Sequence, residues 1–224
     1  MMRGFKQSPK RQVQNALSHK KMMRRGGWTG VLAGLAFHFA PSTVWAGFFT
    51  MPHFVPQGQF TLGLEPEIAF TSGGSFGTNF RYTHGLNETS NITGVFGTGS
   101  GSRGLRGAVA MTFDVFPDSA KQPGVGFGAM GNLMQRNNAG ELNLGGFAYI
   151  HKNFELTNNY IKAVEPFLAI PLGLELLSGG FRVVSAVSLG TMFLHNAHLR
   201  SVLEVTVGIN GSDTLISGGV AYYP

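Results

Sequence analysis

No cysteine occurs among the 224 residues. That excludes a disulfide framework, a thiolate metal site and a lipid-anchored cysteine behind an export signal. Charge is also scarce, at 12% of residues, about half of what an average soluble domain carries. Acidic residues are missing from the first 46 positions, which hold Arg3, Lys6, Lys10, Arg11, Lys20, Lys21, Arg24 and Arg25. The formal charge of +6 therefore belongs to this leader, because the other 178 residues hold nine basic and eleven acidic side chains, a net of −2. A nucleic-acid partner would need a basic body, so that class is excluded. No segment offers eighteen consecutive apolar residues, which excludes a transmembrane helix.

Present in their place are glycine, aromatics and alternation. Thirty-three Gly with 12% aromatic residues suits short strands joined by tight turns. The clearest strand is 59–70, where Phe60, Leu62, Leu64, Pro66, Ile68 and Phe70 share one parity and Thr61, Gly63, Glu65, Glu67 and Ala69 the other. Such period-2 alternation makes one face of a strand apolar and the other small or charged. At ~3.3 Å per residue, Phe60 and Phe70 lie roughly 33 Å apart. Tilted by about 45°, that approaches the ~25 Å apolar band of a membrane barrel.

Further strands are expected over 78–84, 91–98, 105–115, 124–134, 141–150, 161–174, 181–193, 199–209 and 214–223, separated by turn clusters such as Asn210-Gly211. The sum is about ten, with eight as the alternative if the weakly patterned 91–98 hairpin is lost. The glycine-rich 97–102 reads as a hairpin connection, because a phosphate loop would need a Lys-Ser/Thr ending and a following helix. Residues 152–160 are the longest connection.

The leader reads as an export signal over 1–46. Met22-Met23-Arg24-Arg25 is a basic start, Trp28 to Ala40 an apolar core, and Val44-Trp45-Ala46 suits signal peptidase. Translation beginning at Met22 or Met23 would leave an ordinary signal. Residues 47–57, with Pro52 and Pro56, form an extended lead-in, and 58–224 the barrel.

Alternation alone also fits a soluble periplasmic β-barrel or sandwich. The second face decides between them. A water-facing surface carries many Lys and Glu, yet the body has only Lys121, Lys152 and Lys162, all in or beside turns. Small residues fill the inside of a narrow barrel while bulky apolar ones meet lipid. The fold expected is therefore all-β, a closed antiparallel transmembrane β-barrel. Closure also removes sheet edges that lipid would leave unpaired. Pro66, Pro166 and Pro171 lie inside strands and must coincide with bulges or strand ends. With both termini periplasmic, the outward loops 71–75, 97–102, 135–140, 175–180 and 210–213 are all short.

On the signal, the alternating strands, the aromatic girdles and the terminal Gly218-Gly219-Val220-Ala221-Tyr222-Tyr223-Pro224, the chain resembles a small bacterial outer-membrane β-barrel protein of the OmpA/OmpW-like class. Arg81-Tyr82-Thr83-His84-Gly85-Leu86-Asn87-Glu88 resembles the short periplasmic turns of such proteins. The resemblance covers roughly residues 58–224 and implies outer-membrane location, contact with outer-membrane lipid and dependence on the barrel-insertion machinery. It supplies no functional residues. The family's last residue is typically Phe, whereas here Tyr223 is followed by Pro224.

An inward charge network is expected from Glu65, Glu67, Arg81, Arg106, Asp114, Glu165, Arg182, Arg200 and Glu204, since charges within a spanning element pair or contact water. Glu65 or Glu67 with Arg81 is the pair expected between neighbouring strands. Phe60, Phe70, Phe80, Tyr82, Phe113, Phe181, Phe193 and Tyr222 are the girdle candidates. Glu65 and Glu67 lack the nucleophile or substrate loop that acid–base chemistry would need. His195-x-x-His198 has no third ligand, so no metal is expected, and no cofactor. Ser201 near His198 has no supporting motif, and an enzyme is not expected. Function is read as a structural or small-solute permeation role. A surface binding or adhesion module is the alternative, followed by a lipid-modifying enzyme. The composition does not set the oligomeric state.

Overall fold

The computed structural model describes residues 54–70, 74–136, 139–157, 160–177 and 179–224. The signal, its alternative starts and lead-in residues 47–53 lie outside these, as do turn residues 71–73 and 137–138. The strands are β1 (Phe60–Ala69), β2 (Ser75–Asn87), β3 (Ser90–Gly99), β4 (Arg106–Phe116), β5 (Gly124–Arg136), β6 (Ala139–His151), β7 (Phe154–Glu155), β8 (Ala163–Leu177), β9 (Gly180–Leu194), β10 (Leu199–Asn210) and β11 (Leu215–Tyr222). A single 3-10 turn, Gly101–Arg103, precedes β4.

Every strand but β7 joins one closed, antiparallel, ten-stranded barrel. Each pairs with its sequence neighbours, β1 pairs with β11, and β6 pairs with β8 to complete the circuit. The weakly patterned third strand is present and spans ten residues. β7 is a two-residue addition to β8 inside the long connection. It was not legible because two residues carry no usable periodicity.

Alternation sets the two faces. In β1 the exposure pattern is strictly alternating, with Leu62, Leu64, Pro66 and Ile68 outside and Thr61, Gly63, Glu65 and Glu67 inside. Leu64 is 51% exposed and Glu67 1%, the reverse of a water-soluble fold. The outer wall continues through residues such as Phe96, Val109, Leu172, Leu203 and Val220.

The prolines sit where a missing N–H costs little. Pairing of β1 with β11 skips from Leu64↔Val220 to Glu67↔Ser217, leaving Pro66 opposite an interruption. Pairing of β8 with β9 likewise skips Ile170 and Pro171. Pro166 lies one residue beyond the last β6–β8 pair, His151↔Phe167. A proline has no ladder donor, so it tolerates a gap on one side.

The start of β1 and the end of β11 lie at one mouth, termed here the terminal mouth, with the connections 88–89, 117–123 and 195–198 and the one that joins β6 to β8. At the opposite, distal mouth β10 and β11 are joined across Asn210-Gly211, with Gly211 at φ 61°, as the left-handed turn position requires.

The interior differs from the small-residue lining expected above. Phe147, Tyr149, Phe167, Met130, Met134 and Met192 all point inward and are buried. They fit because glycine faces them directly across the ladder. Phe147 pairs with Gly128, Tyr149 with Gly126, His151 with Gly124 and Phe167 with Gly190. A Cβ at Gly128 would stand 2.4 Å from the Phe147 ring, and one at Gly190 2.2 Å from the Phe167 ring. The glycines on the inner parity of β5 are therefore seats for rings lying flat on the wall, as in aromatic rescue of strand glycines.

Candidate functional site

The inward charges gather in clusters near the two mouths. Toward the distal mouth, Arg106 at the start of β4 reaches across β3 and β2 to Glu67 on β1. Its Nη2 donates to Glu67 Oε1 and, at 2.7 Å, to Asn79 Oδ1; its Nε donates to the same Asn79 oxygen at 3.0 Å. Asn79 Nδ2 in turn donates to Glu67 Oε2 at 3.1 Å. Two inward glycines clear this path: a Cβ at Gly77 would stand 2.6 Å from Arg106 Nη2, and one at Gly97 2.3 Å from Asn79 Oδ1. Arg103, in the 3-10 turn, folds into the lumen with no solvent exposure and lies 3.4 Å from both Glu67 and Asp213. Its carbonyl accepts from Arg106 Nη1 at 2.8 Å.

Toward the terminal mouth, Arg81 and Glu65 form a two-point pair, Nε to Oε1 at 2.6 Å and Nη2 to Oε2 at 2.8 Å. Bidentate guanidinium–carboxylate pairs are the strong, geometrically specific form of ion pair. His151 stands between two carboxylates, with Nδ1 2.7 Å from Glu165 and Nε2 3.3 Å from Asp114. The Tyr149 hydroxyl donates to Asp114 at 2.9 Å. Arg200 lies over the Tyr223 ring, 4.5 Å from its centroid. Glu204 accepts from Thr206 at 2.8 Å, and Thr206 meets Ser188 at 2.7 Å. Back at the distal mouth, beside the turn from β8 to β9, Arg182 pairs with Glu175.

All nine side chains expected inside face the lumen, and Glu65 is the partner of Arg81 while Glu67 belongs to Arg106 and Arg103. Arg103, Asn79, Asp213, His151 and Glu175 complete the clusters and are not among the nine expected from parity. His151 and Glu175 were accessible by parity, since each follows an inward residue by two positions. Arg103 and Asp213 lie in turns, where parity has no meaning.

Of the girdle candidates, Phe60, Tyr82 and Tyr222 sit together at the terminal mouth, where the Phe60 and Tyr82 rings stack at 5.8 Å. Phe113 stacks on Phe127 at 5.2 Å, and Phe193 lies beside Ser201 on the same side. Phe70 and Phe181 mark the distal mouth. Phe80 pairs with Leu64 and Phe96, in the middle of the apolar belt.

Two small cavities lie in the lumen among the described residues. One of about 20 Å³ is lined by Val55, Arg81, Asn91, Ala221 and Tyr223 among others, and one of about 70 Å³ by Asn153, Glu165, Met192 and Arg200. The first holds about one water. Phe54 packs against the inward cluster around Met130 and Phe147, and Val55 is buried, its N–H donating to Asn91 Oδ1 at 3.2 Å. The end of the lead-in thus helps close the terminal mouth.

His195 and His198 point to different partners. His198 Nδ1 donates to the Tyr223 carbonyl at 2.7 Å, whereas His195 Nε2 lies 2.8 Å from Ser201 Oγ. The serine neighbour is thus His195 and not His198. Among the described residues no three His, Asp or Glu side chains are grouped to hold a metal.

No family model and no curated protein matches the sequence. Solved structures do. An outer membrane channel from Pseudomonas putida F1 is 7% identical with a TM-score of 0.47, covering 81% of this chain and all of the other. The N-terminal β-barrel domain of Pseudomonas aeruginosa OprF is 11% identical with a TM-score of 0.27, covering 75% of this chain and all of that domain. A de novo designed transmembrane β-barrel is 9% identical with a TM-score of 0.37, covering 77% of this chain and all of the design. At these identities no residue role is transferred from any of them.

Proposed function

We propose that this chain is an integral barrel of the bacterial outer membrane with a structural role and a sealed lumen. The observation that carries the reading is the inverted distribution of polarity. Leu, Ile, Val and Phe form the outer wall while Arg103, Arg106, Glu67, Asn79 and Glu175 are fully or almost fully buried inside. Exposed apolar area on that scale needs a cover, and strands of 8–15 residues suit a tilted bilayer crossing. The basic leader with its apolar core fits export, and the barrel-insertion machinery would then place the chain.

The sealed lumen separates the structural from the permeation role. A conducting pore would hydrate its wall, whereas side chains of both mouths interlock here and the two cavities described above are each large enough for only one to a few waters. Small-solute passage would need both the Arg103–Glu67–Asp213 cluster and the Phe54–Val55 segment to move. Short distal connections also offer little surface for an adhesion module.

Two measurements test the reading. Membrane fractionation combined with unheated and boiled gel mobility should show an envelope protein whose folded form migrates differently; a soluble protein with no shift would refute it. In planar bilayers the full mature chain should show negligible current, and steady channel openings would replace the structural role with permeation.

A further inference from the structure

The 195–198 turn folds a histidine onto the outside of the barrel wall. Asn196 Oδ1 accepts from the His198 and Leu199 N–H groups, at 2.8 and 2.9 Å, and holds the turn tight. This returns His195 onto Ser201, six residues later on β10. Ser201 shares its parity with the exposed Leu199, Leu203 and Val205, and its cross-strand partners are Phe193 and Val220. Its hydroxyl therefore lies on the lipid-facing side. His195 Nε2 is 2.8 Å from that hydroxyl, and Nδ1 is 3.3 Å from the Tyr160 carbonyl. A carbonyl only accepts, so Nδ1 carries the proton and neutral Nε2 offers its lone pair to Ser201 O–H. Nucleophile, base and base-orienting acceptor are thus in line, which is the arrangement that activates a serine.

Position supplies the substrate class. Ser201 lies two residues inside the start of β10, roughly 7 Å along the strand. Tyr160 (84% exposed), Tyr222 and Phe193 flank this level, and aromatic side chains mark the boundary between hydrocarbon and headgroups. The ester carbonyls of a glycerolipid lie at that boundary. The outer wall is mostly Leu, Val, Ile and Phe with a few isolated Ser, Thr and His such as Thr191 and His84. What sets Ser201 apart among them is its hydrogen bond to a histidine, a polar pair of the kind that points to function at a membrane boundary.

We propose that His195 and Ser201 form an acyl-ester hydrolase site, taking glycerophospholipid from the leaflet that meets the terminal mouth. The proposal rests on the membrane reading above. Ser201 Oγ attacks the ester carbonyl carbon as its proton passes to His195 Nε2. The carbonyl–alkoxy bond then breaks, and the lyso-lipid alkoxide leaves with that proton. Water, deprotonated by the same nitrogen, attacks the acyl-serine. Its C–Oγ bond breaks, Ser201 regains the proton, and a fatty acid is released.

The test uses the full mature chain refolded into vesicles of phosphatidylethanolamine and phosphatidylglycerol, with the heat-dependent gel shift run on every variant. Wild type should release fatty acid and become labelled at Ser201 by a fluorophosphonate. Ser201→Ala should lose both, and His195→Gln should lower both by about a hundredfold or more, with the gel shift retained. A shifting, folded wild type that neither releases fatty acid nor is labelled overturns the hydrolase while leaving the membrane barrel standing. Release from lipopolysaccharide micelles but not from the phospholipid vesicles overturns the glycerophospholipid assignment. Loss of the gel shift in wild type overturns the membrane reading itself and the proposal with it.

Discussion

At the scale of single residues, the informative feature is charge enclosed by its partners. Glu65 and Arg81 satisfy each other through two short hydrogen bonds within a wall that leaves both under 10% exposed. Removing one member strands the other without solvent, which typically costs about 3–5 kcal/mol, whereas replacing both with apolar groups of similar volume can be neutral. Arg81→Ala is therefore expected to lower stability by about 3–5 kcal/mol, and Arg81→Met combined with Glu65→Leu to recover most of it. Both tryptophans, Trp28 and Trp45, lie in the leader. Residues 47–224 hold no tryptophan, so unfolding of the barrel needs another readout, and the folded gel band against urea concentration provides one.

The elements are shaped by what each strand leaves empty. β5 places Gly124, Gly126 and Gly128 opposite His151, Tyr149 and Phe147, so the ladder holds three rings flat against the wall. A side chain at Gly128 must displace the Phe147 ring, and overpacking of this kind costs about 1–3 kcal/mol. Gly128→Leu is expected to lose about that much, and adding Phe147→Ala to restore part of it, since the removed ring vacates the volume. The urea midpoint of the folded band reads both. The sequence showed glycine on one parity of β5, and its periodicity located the strand. It could not show that the glycines served rings on β6, because that depends on register between strands.

For the whole molecule, the test is which solvent each face meets. Leu64 is outward at mid-strand, paired with Phe80 and Val220. In a bilayer, Leu64→Arg should cost about 2–4 kcal/mol, falling to about 0–1 near the mouths; an equal effect at both depths, measured by refolding into vesicles, would argue against a spanning wall. The distal seal makes a separate prediction. Arg103→Gly with Arg106→Gly removes two guanidinium groups from the distal seal and, combined with Phe54→Gly and Val55→Gly at the terminal mouth, is expected to give single-channel current. Unchanged, negligible current in the combined variant would place the seal elsewhere in the lumen.

Period-2 alternation and the near absence of lysine in the body were enough to determine a β-barrel with an apolar outer wall, about ten strands with eight as the alternative, and the inward side of Glu65, Glu67, Arg81 and Arg106. Those are one-dimensional properties, because parity along a strand decides the face and composition decides the solvent. Tertiary structure alone decided which charges meet, that Arg103 and the Phe54–Val55 segment enter the lumen, and that His195 rather than His198 reaches Ser201. Each of these depends on register between strands or on a turn without periodicity, where residues far apart in sequence are brought within hydrogen-bond distance only once the barrel closes.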